Sequence, residues 1–105
     1  MDMIITTTDE VPGKKAKMVL GIVRGNTVRA RNIGRDVMAG FKNMVGGEIK
    51  SYTELLTQSR DEAYNRMVNE AILMKADAVV GVRFVTSMIM QGASEISCFG
   101  TAVKF

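Results

Sequence analysis

Apolar positions along this chain follow two different rhythms, and the change of rhythm divides it into elements. Ile4-Ile5-Thr6-Thr7-Thr8 is a short β-branched run and predicts a strand over Met3 to Thr8. Val11-Pro12-Gly13 then marks a loop over Asp9 to Lys15. Met18-Val19-Leu20-Gly21-Ile22-Val23 predicts a second strand from Ala16 to Arg24. Gly25-Asn26 is a turn signal, after which Thr27 to Arg31 resumes the strand.

The rhythm then becomes helical. Asn32 is a plausible N-cap, and Ile33, Val37, Phe41, Met44 and Val45 recur on one face of a first helix. Gly46-Gly47 ends it, because glycine accepts the left-handed conformation of a C-terminal cap at little cost. A second helix starts at the S-x-x-E box of Ser51 and Glu54 and runs to about Lys75 with no glycine or proline. Leu56, Ala63, Met67, Ala71 and Met74 form its apolar stripe, with Leu55 and Ile72 on the flanks. Glu62 and Arg66 stand four apart with the acid first, the favourable order.

The last third returns to strands. Ala78 to about Met90 predicts one long strand, with Val80, Val82 and Phe84 on one face and Gly81, Arg83 and Ser87 on the other. Gln91-Gly92-Ala93 turns it, and Ser94 to Phe105 pairs back as a hairpin. This final strand is apolar on both faces: Ile96, Cys98 and Ala102 on one, Phe99, Val103 and Phe105 on the other. A sheet covered on one side only does not need that pattern, so a second burial surface is expected, with a partner copy as its simplest source. The elements add up to a single domain over residues 1–105 of α+β class: a small antiparallel sheet packed with two helices.

Composition narrows the function. The chain has 105 residues and one cysteine, so no internal disulfide exists. That suits a reducing compartment, and no stretch reaches the roughly 18 apolar residues of a membrane span, which reads as cytoplasmic. Net charge is +3 at pH 7. Lys14, Lys15, Lys17, Arg24, Arg29, Arg31 and Arg35 crowd the stretch from Val11 to Arg35, which contains no acid. Solvated charge on an edge strand explains the cluster simply; an anion-binding face is the sharper reading. Nucleic acid is disfavoured, because the phenylalanines and tyrosines fall mostly at positions assigned to the core.

Several blocks together resemble a known family. Arg31-Asn32-Ile33-Gly34-Arg35-Asp36, Val45-Gly46-Gly47-Glu48, Tyr52-Thr53-Glu54-Leu55, Ala76-Asp77-Ala78-Val79-Val80-Gly81-Val82-Arg83-Phe84 and Gly100-Thr101-Ala102-Val103 are similar, in this order, to segments of the YbjQ-like proteins of bacteria and archaea. The resemblance implies a dodecin-subunit-like fold and a ring-shaped pentamer in which extra short strands join neighbouring subunits. It also carries a family name that proposes heavy-metal binding without an established role. Two positions depart from the pattern. Lys75 stands where glycine is expected before Ala-Asp-Ala, and Phe99 stands where tyrosine is expected.

Candidate chemistry is sparse. There is no histidine, so the usual base for a serine or cysteine nucleophile is missing, and no catalytic constellation stands out. Cys98 alone cannot build a tetrahedral zinc site. With Met88 and Met90 it could offer a soft metal such as Cu(I) a set of sulfur ligands, against the simpler reading of all three as core filler. The start of the first helix offers an anion site: backbone N–H groups of Asn32, Ile33 and Gly34, with charge from Arg31 and Arg35. The competing reading pairs these arginines with Asp36 or a neighbouring subunit's carboxylate. Expectation therefore centres on a non-enzymatic, homo-oligomeric module binding a small anion between subunits. A soft-metal-binding oligomer is the alternative, and no cofactor is identified.

Overall fold

The computed structural model describes residues 3–29, 47–90 and 93–105. In chain order the elements are β1 (Ile4–Ile5), β2 (Met18–Arg29), α1 (Gly47–Leu73), β3 (Ala78–Met90) and β4 (Ala93–Lys104). The strands form one sheet in the order β1-β3-β4-β2, with α1 across one face, so the class is α+β. The first helix proposed from Asn32 onward lies outside the described residues. The sheet is mixed rather than antiparallel throughout. β3–β4 and β4–β2 are antiparallel, whereas β1 pairs parallel to the start of β3, Ile4 with Ala78 and Ile5 with Val79.

Three local expectations are corrected. Gly25-Asn26 makes no turn: β2 runs through it, with Gly25 opposite Cys98 and Asn26 opposite Ser97. Gly25 is needed for closeness instead. A Cβ there would collide with the carbonyl of Ala63 and with Arg66 Cβ, so the helix backbone rests directly on the strand. The helix begins at Gly47, which places Ser51 inside it rather than at an N-cap. The first helix that Gly46-Gly47 was expected to end lies outside the described residues; Gly47 itself is the first residue of α1.

The third correction concerns β3. Gly81 has φ +63, and the register with β4 shifts between Val80 and Arg83, which identifies a bulge. One extra residue reverses the alternation. Val79 and Val82 face the helix together, packed under Gly100, while Val80 and Arg83 face the other way.

The core lies between α1 and the β2–β4 half of the sheet. Val23, Ala63, Met67, Ala71, Val79, Cys98 and Ala102 are all fully buried there. Ala63, Met67 and Ala71 are the buried middle of the predicted helical stripe, spaced by one turn each; its last member, Met74, lies past the helix end and is exposed. Buried Thr27 donates its hydroxyl to the Ser59 carbonyl at 3.1 Å, tying β2 to the helix. Met67 alone contributes burial worth about 2–3 kcal/mol. The expected Glu62–Arg66 pair forms at 2.8 Å.

The helix ends in a Schellman motif. The Lys75 N–H donates to the Ile72 carbonyl at 2.9 Å and the Ala76 N–H to the Ala71 carbonyl at 3.1 Å. Lys75 occupies the left-handed position at φ +61, where glycine would sit without strain. Its carbonyl is held by Lys104 Nζ at 2.9 Å.

Candidate functional site

The sheet has two long edges, and the chain treats them differently. Along β2 the helix supplies the missing partners. The Arg24 N–H donates to Glu70 Oε1 at 3.3 Å, and Arg66 Nη1 donates to the Asn26 carbonyl. Two groups that point away from β4 are thereby satisfied by side chains.

Along β3 the protection stops early. Val82 N–H donates to the Thr6 carbonyl at 3.1 Å, and Arg83 Nη1 closes the end of the pairing by donating to Thr7 and Val82 carbonyls, both at 2.9 Å. Beyond this point no described strand pairs with β3 on that side. Alternation from Val82 then aims the N–H and C=O groups of Phe84, Thr86 and Met88 outward. The same stretch is exposed and apolar: Phe84 is 48% exposed and Met88 77%, and Val85 and Ile89 are exposed on the opposite face. α1 barely reaches β3, which is why its helix-facing side stays open here. The expectation that the aromatics are core residues therefore fails for Phe84, which the narrow reach of the helix leaves open, and for Phe99, which lies on the face away from the helix.

The sulfur candidates separate. Cys98 and Met88 do lie on the same face, but Cys98 pairs with Phe84 and Met88 with Ser94. Four positions along a strand put roughly 13 Å between them. The side chain of Met90 lies outside the described residues. Cys98 is buried, and its Sγ instead meets Met67 Sδ at 3.6 Å, a neighbour the sequence did not single out. Only the i, i+4 stripe containing Met67 could have hinted at it. Burial pushes the Cys98 thiol up from its ordinary value, which favours the neutral form over the thiolate a metal requires. Among the described residues no group of three or more cysteine, aspartate or glutamate side chains could hold a metal ion. Arg31, Asn32, Gly34 and Arg35, the proposed anion site, lie outside the described residues.

The remaining basic residues gather by register. On the face away from the helix, Phe99 of β4 stands between Arg24 of β2 and Arg83 of β3. Phe99 is 37% exposed and both arginines are exposed. Beside this row a cavity of about 770 Å³ opens under the loop of residues 9–16. No described helix is long and apolar enough to cross a membrane.

Comparison with known proteins gives a consistent relationship. The model of a family described as "Putative heavy-metal-binding", the YbjQ-like proteins, matches residues 3–105. A protein of Methanoculleus marisnigri named UPF0145 is 59% identical over 102 residues, covering 97% of this chain and 95% of the relative. A UPF0145 protein of Vibrio parahaemolyticus is 58% identical, covering 97% of each. One of Thermotoga maritima is 55% identical, covering 97% and 96%. Among solved structures, a protein of unknown function from Pediococcus pentosaceus, assigned in its description to the DUF74 family, superposes with a TM-score of 0.63. The overlap covers 98% of this chain and 97% of that one at 19% identity, a likeness of fold.

Proposed function

This chain belongs to the YbjQ-like family, and from that premise we propose that it is a homo-oligomeric, non-enzymatic binding module whose copies join through the open edge of β3. The observation that carries this reading is the uncharged and exposed stretch from Phe84 to Ile89, which has no partner strand on its outer side among the described residues, alongside a β2 edge already occupied by Glu70 and Arg66. A long apolar edge of this kind is a template for another strand. Two unlike surfaces meeting head to tail close into a ring, and the resemblance to the family implies a pentamer of dodecin-subunit-like protomers.

The ligand in this reading is a small anion held near a subunit interface by Arg31, Asn32, Gly34 and Arg35. Its support is the acid-free basic stretch from Val11 to Arg35. Phosphate should raise the melting temperature of the wild type and not of Arg35→Ala; an equal rise in both removes this site.

Thr86→Pro tests the assembly. It deletes an outward N–H on an edge strand and leaves the ladder to β4 intact, so the monomer should still fold. Sedimentation at micromolar concentration should report an oligomer for the wild type and a single folded chain for Thr86→Pro. A wild-type monomer, or an unchanged oligomer in the variant, removes the reading.

Soft-metal binding is the second reading. It draws on the family's description and on the Cys98–Met67 sulfur pair. Native mass spectrometry with Ag(I) should then show a bound ion that Cys98→Ser loses.

A further inference from the structure

We propose that one tip of the molecule is a docking surface for an anionic lipid bilayer. Exposed apolar side chains enter the headgroup region there, and lysines around them meet the lipid charge. The tip lies where the end of α1, the start of β2 and the end of β4 come together. It goes beyond the binding module proposed above and uses none of the residues of the β3 edge. Met88, late in that edge, pairs with Ser94, whereas the tip lies beyond the pairing of Ala78 with Val103, roughly 30 Å away along β3.

Hydrogen bonds hold the strand ends and the helix end together. The Lys17 N–H donates to the Lys104 carbonyl at 2.8 Å, and Met18 stands opposite Lys104 in the β2–β4 register. Lys104 Nζ in turn donates to the Lys75 carbonyl at 2.9 Å, which ties both strands to the turn that closes α1. The left-handed backbone of Lys75 reverses the chain there, just after Leu73 and Met74. Leu73 is 84% exposed, Met18 57% and Met74 38%. One exposed apolar side chain needs no account, but large ones gathered on a single tip form a patch. None of them is aromatic, so the tip offers no platform for nucleic-acid bases.

The charge around the patch is positive. Lys17 and Lys75 are exposed, and neither has an ion-pair partner among the described residues. Lys14 lies at the same end of the sheet, its Nζ 5.1 Å from the centre of the Phe105 ring. The acids on the elements that meet here are half-buried and engaged with backbone. Glu70 accepts from the Arg24 N–H at 3.3 Å, and Asp77 accepts from the Phe105 N–H at 2.9 Å. Lys14, Lys17, Lys75 and Lys104 outnumber them and set the sign of the tip. Lysine suits this place, because its stem packs on apolar surface while its ammonium reaches outward to lipid phosphates. Apolar insertion combined with cationic attraction holds a peripheral protein on an anionic bilayer, where either term alone binds weakly.

The test pellets the full chain with vesicles of phosphatidylcholine alone, or of phosphatidylcholine mixed with phosphatidylglycerol. Wild type is compared with Leu73→Ser and Lys75→Gly. Leu73 packs against almost nothing, and Lys75→Gly relieves a left-handed backbone, so both variants keep the fold, which thermal melting checks. The wild type should pellet with the mixed vesicles and not with the neutral ones, and added salt should release it. Lys75→Gly should partition about fivefold less, the effect of one lysine lost from an anionic surface, and Leu73→Ser at least as much less. The proposal is overturned if the wild type stays in solution with both vesicles, if it pellets equally with both, or if either variant binds as the wild type does. Both variants should also sediment, without vesicles, at the wild-type mass; a smaller mass assigns the tip to a contact between subunits and overturns the proposal as well. Thr86→Pro tests the β3 edge separately, so the two readings fail independently.

Discussion

The two long edges of the sheet pose one problem and receive opposite treatments. β2 is shielded by its own chain: α1 sits so close that Gly25 can carry no side chain, and from that position Arg66 and Glu70 reach the strand's outward carbonyl and N–H. Among the described residues, β3 is shielded only as far as Val82 by the residues around β1, and nothing pairs with its outer side from Phe84 onward. Helix placement explains the difference. A single α1 covers two strands well, and it was drawn to β2 and β4 by Ala63, Met67 and Ala71 meeting Val23 and Cys98. Satisfying one edge with a helix therefore leaves the other available for a different partner.

The largest effect should come from breaking the shield. Gly25→Val forces the helix off β2 and should cost about 3 kcal/mol, the upper range for overpacking. A thermal melt should show a marked fall in midpoint with aggregation on heating, since β2 is then bare as well. A variant that melts like the wild type would mean the helix does not bear on Gly25.

Lys75→Gly sharpens the comparison from the other side. It relieves the left-handed backbone at the end of α1 and should stabilise the chain by about 1 kcal/mol. Urea unfolding would show this as a higher midpoint at unchanged slope.

Arg66→Ala removes the ion pair to Glu62 and the bond to the Asn26 carbonyl, both partly exposed, and should cost about 0.5 kcal/mol. Its clearer signature is faster amide exchange along β2, with β3 unaffected.

The smallest effect is in alkaline solution. Burial raises the Cys98 thiol in the folded chain only. As pH rises past the ordinary thiol range, the unfolded chain gives up this proton while the folded chain keeps it. The unfolded state then binds fewer protons, so stability falls with rising pH. Cys98→Ala should flatten that decline in urea midpoints measured on the alkaline side.

Much of the fold was legible because its signals are local. The β-branched runs around Ile5 and Val19, the glycine-free helix with its Ala63–Met67–Ala71 stripe, and the Ala78–Met90 strand were each readable from spacing alone. So was the alternation that buries Ile96, Cys98 and Ala102. The candidate site was far less legible. Arg24, Arg83 and Phe99 are scattered over the sequence, and nothing in their spacing brings them into one row.

Sequence thus determined which stretches extend, which one coils, and which side of the helix is greasy, because those preferences act between neighbours a few residues apart. Only the tertiary structure decided what each glycine was for: close approach at Gly25, where a turn was expected, and a bulge at Gly81 that reverses the faces of β3. It also decided that β1 joins β3 in parallel, that Cys98 meets Met67 rather than Met88, and that among the described residues one edge is capped and the other open. These outcomes depend on where a helix comes to rest on a sheet. That is settled by packing between segments remote in the chain, which no local pattern encodes.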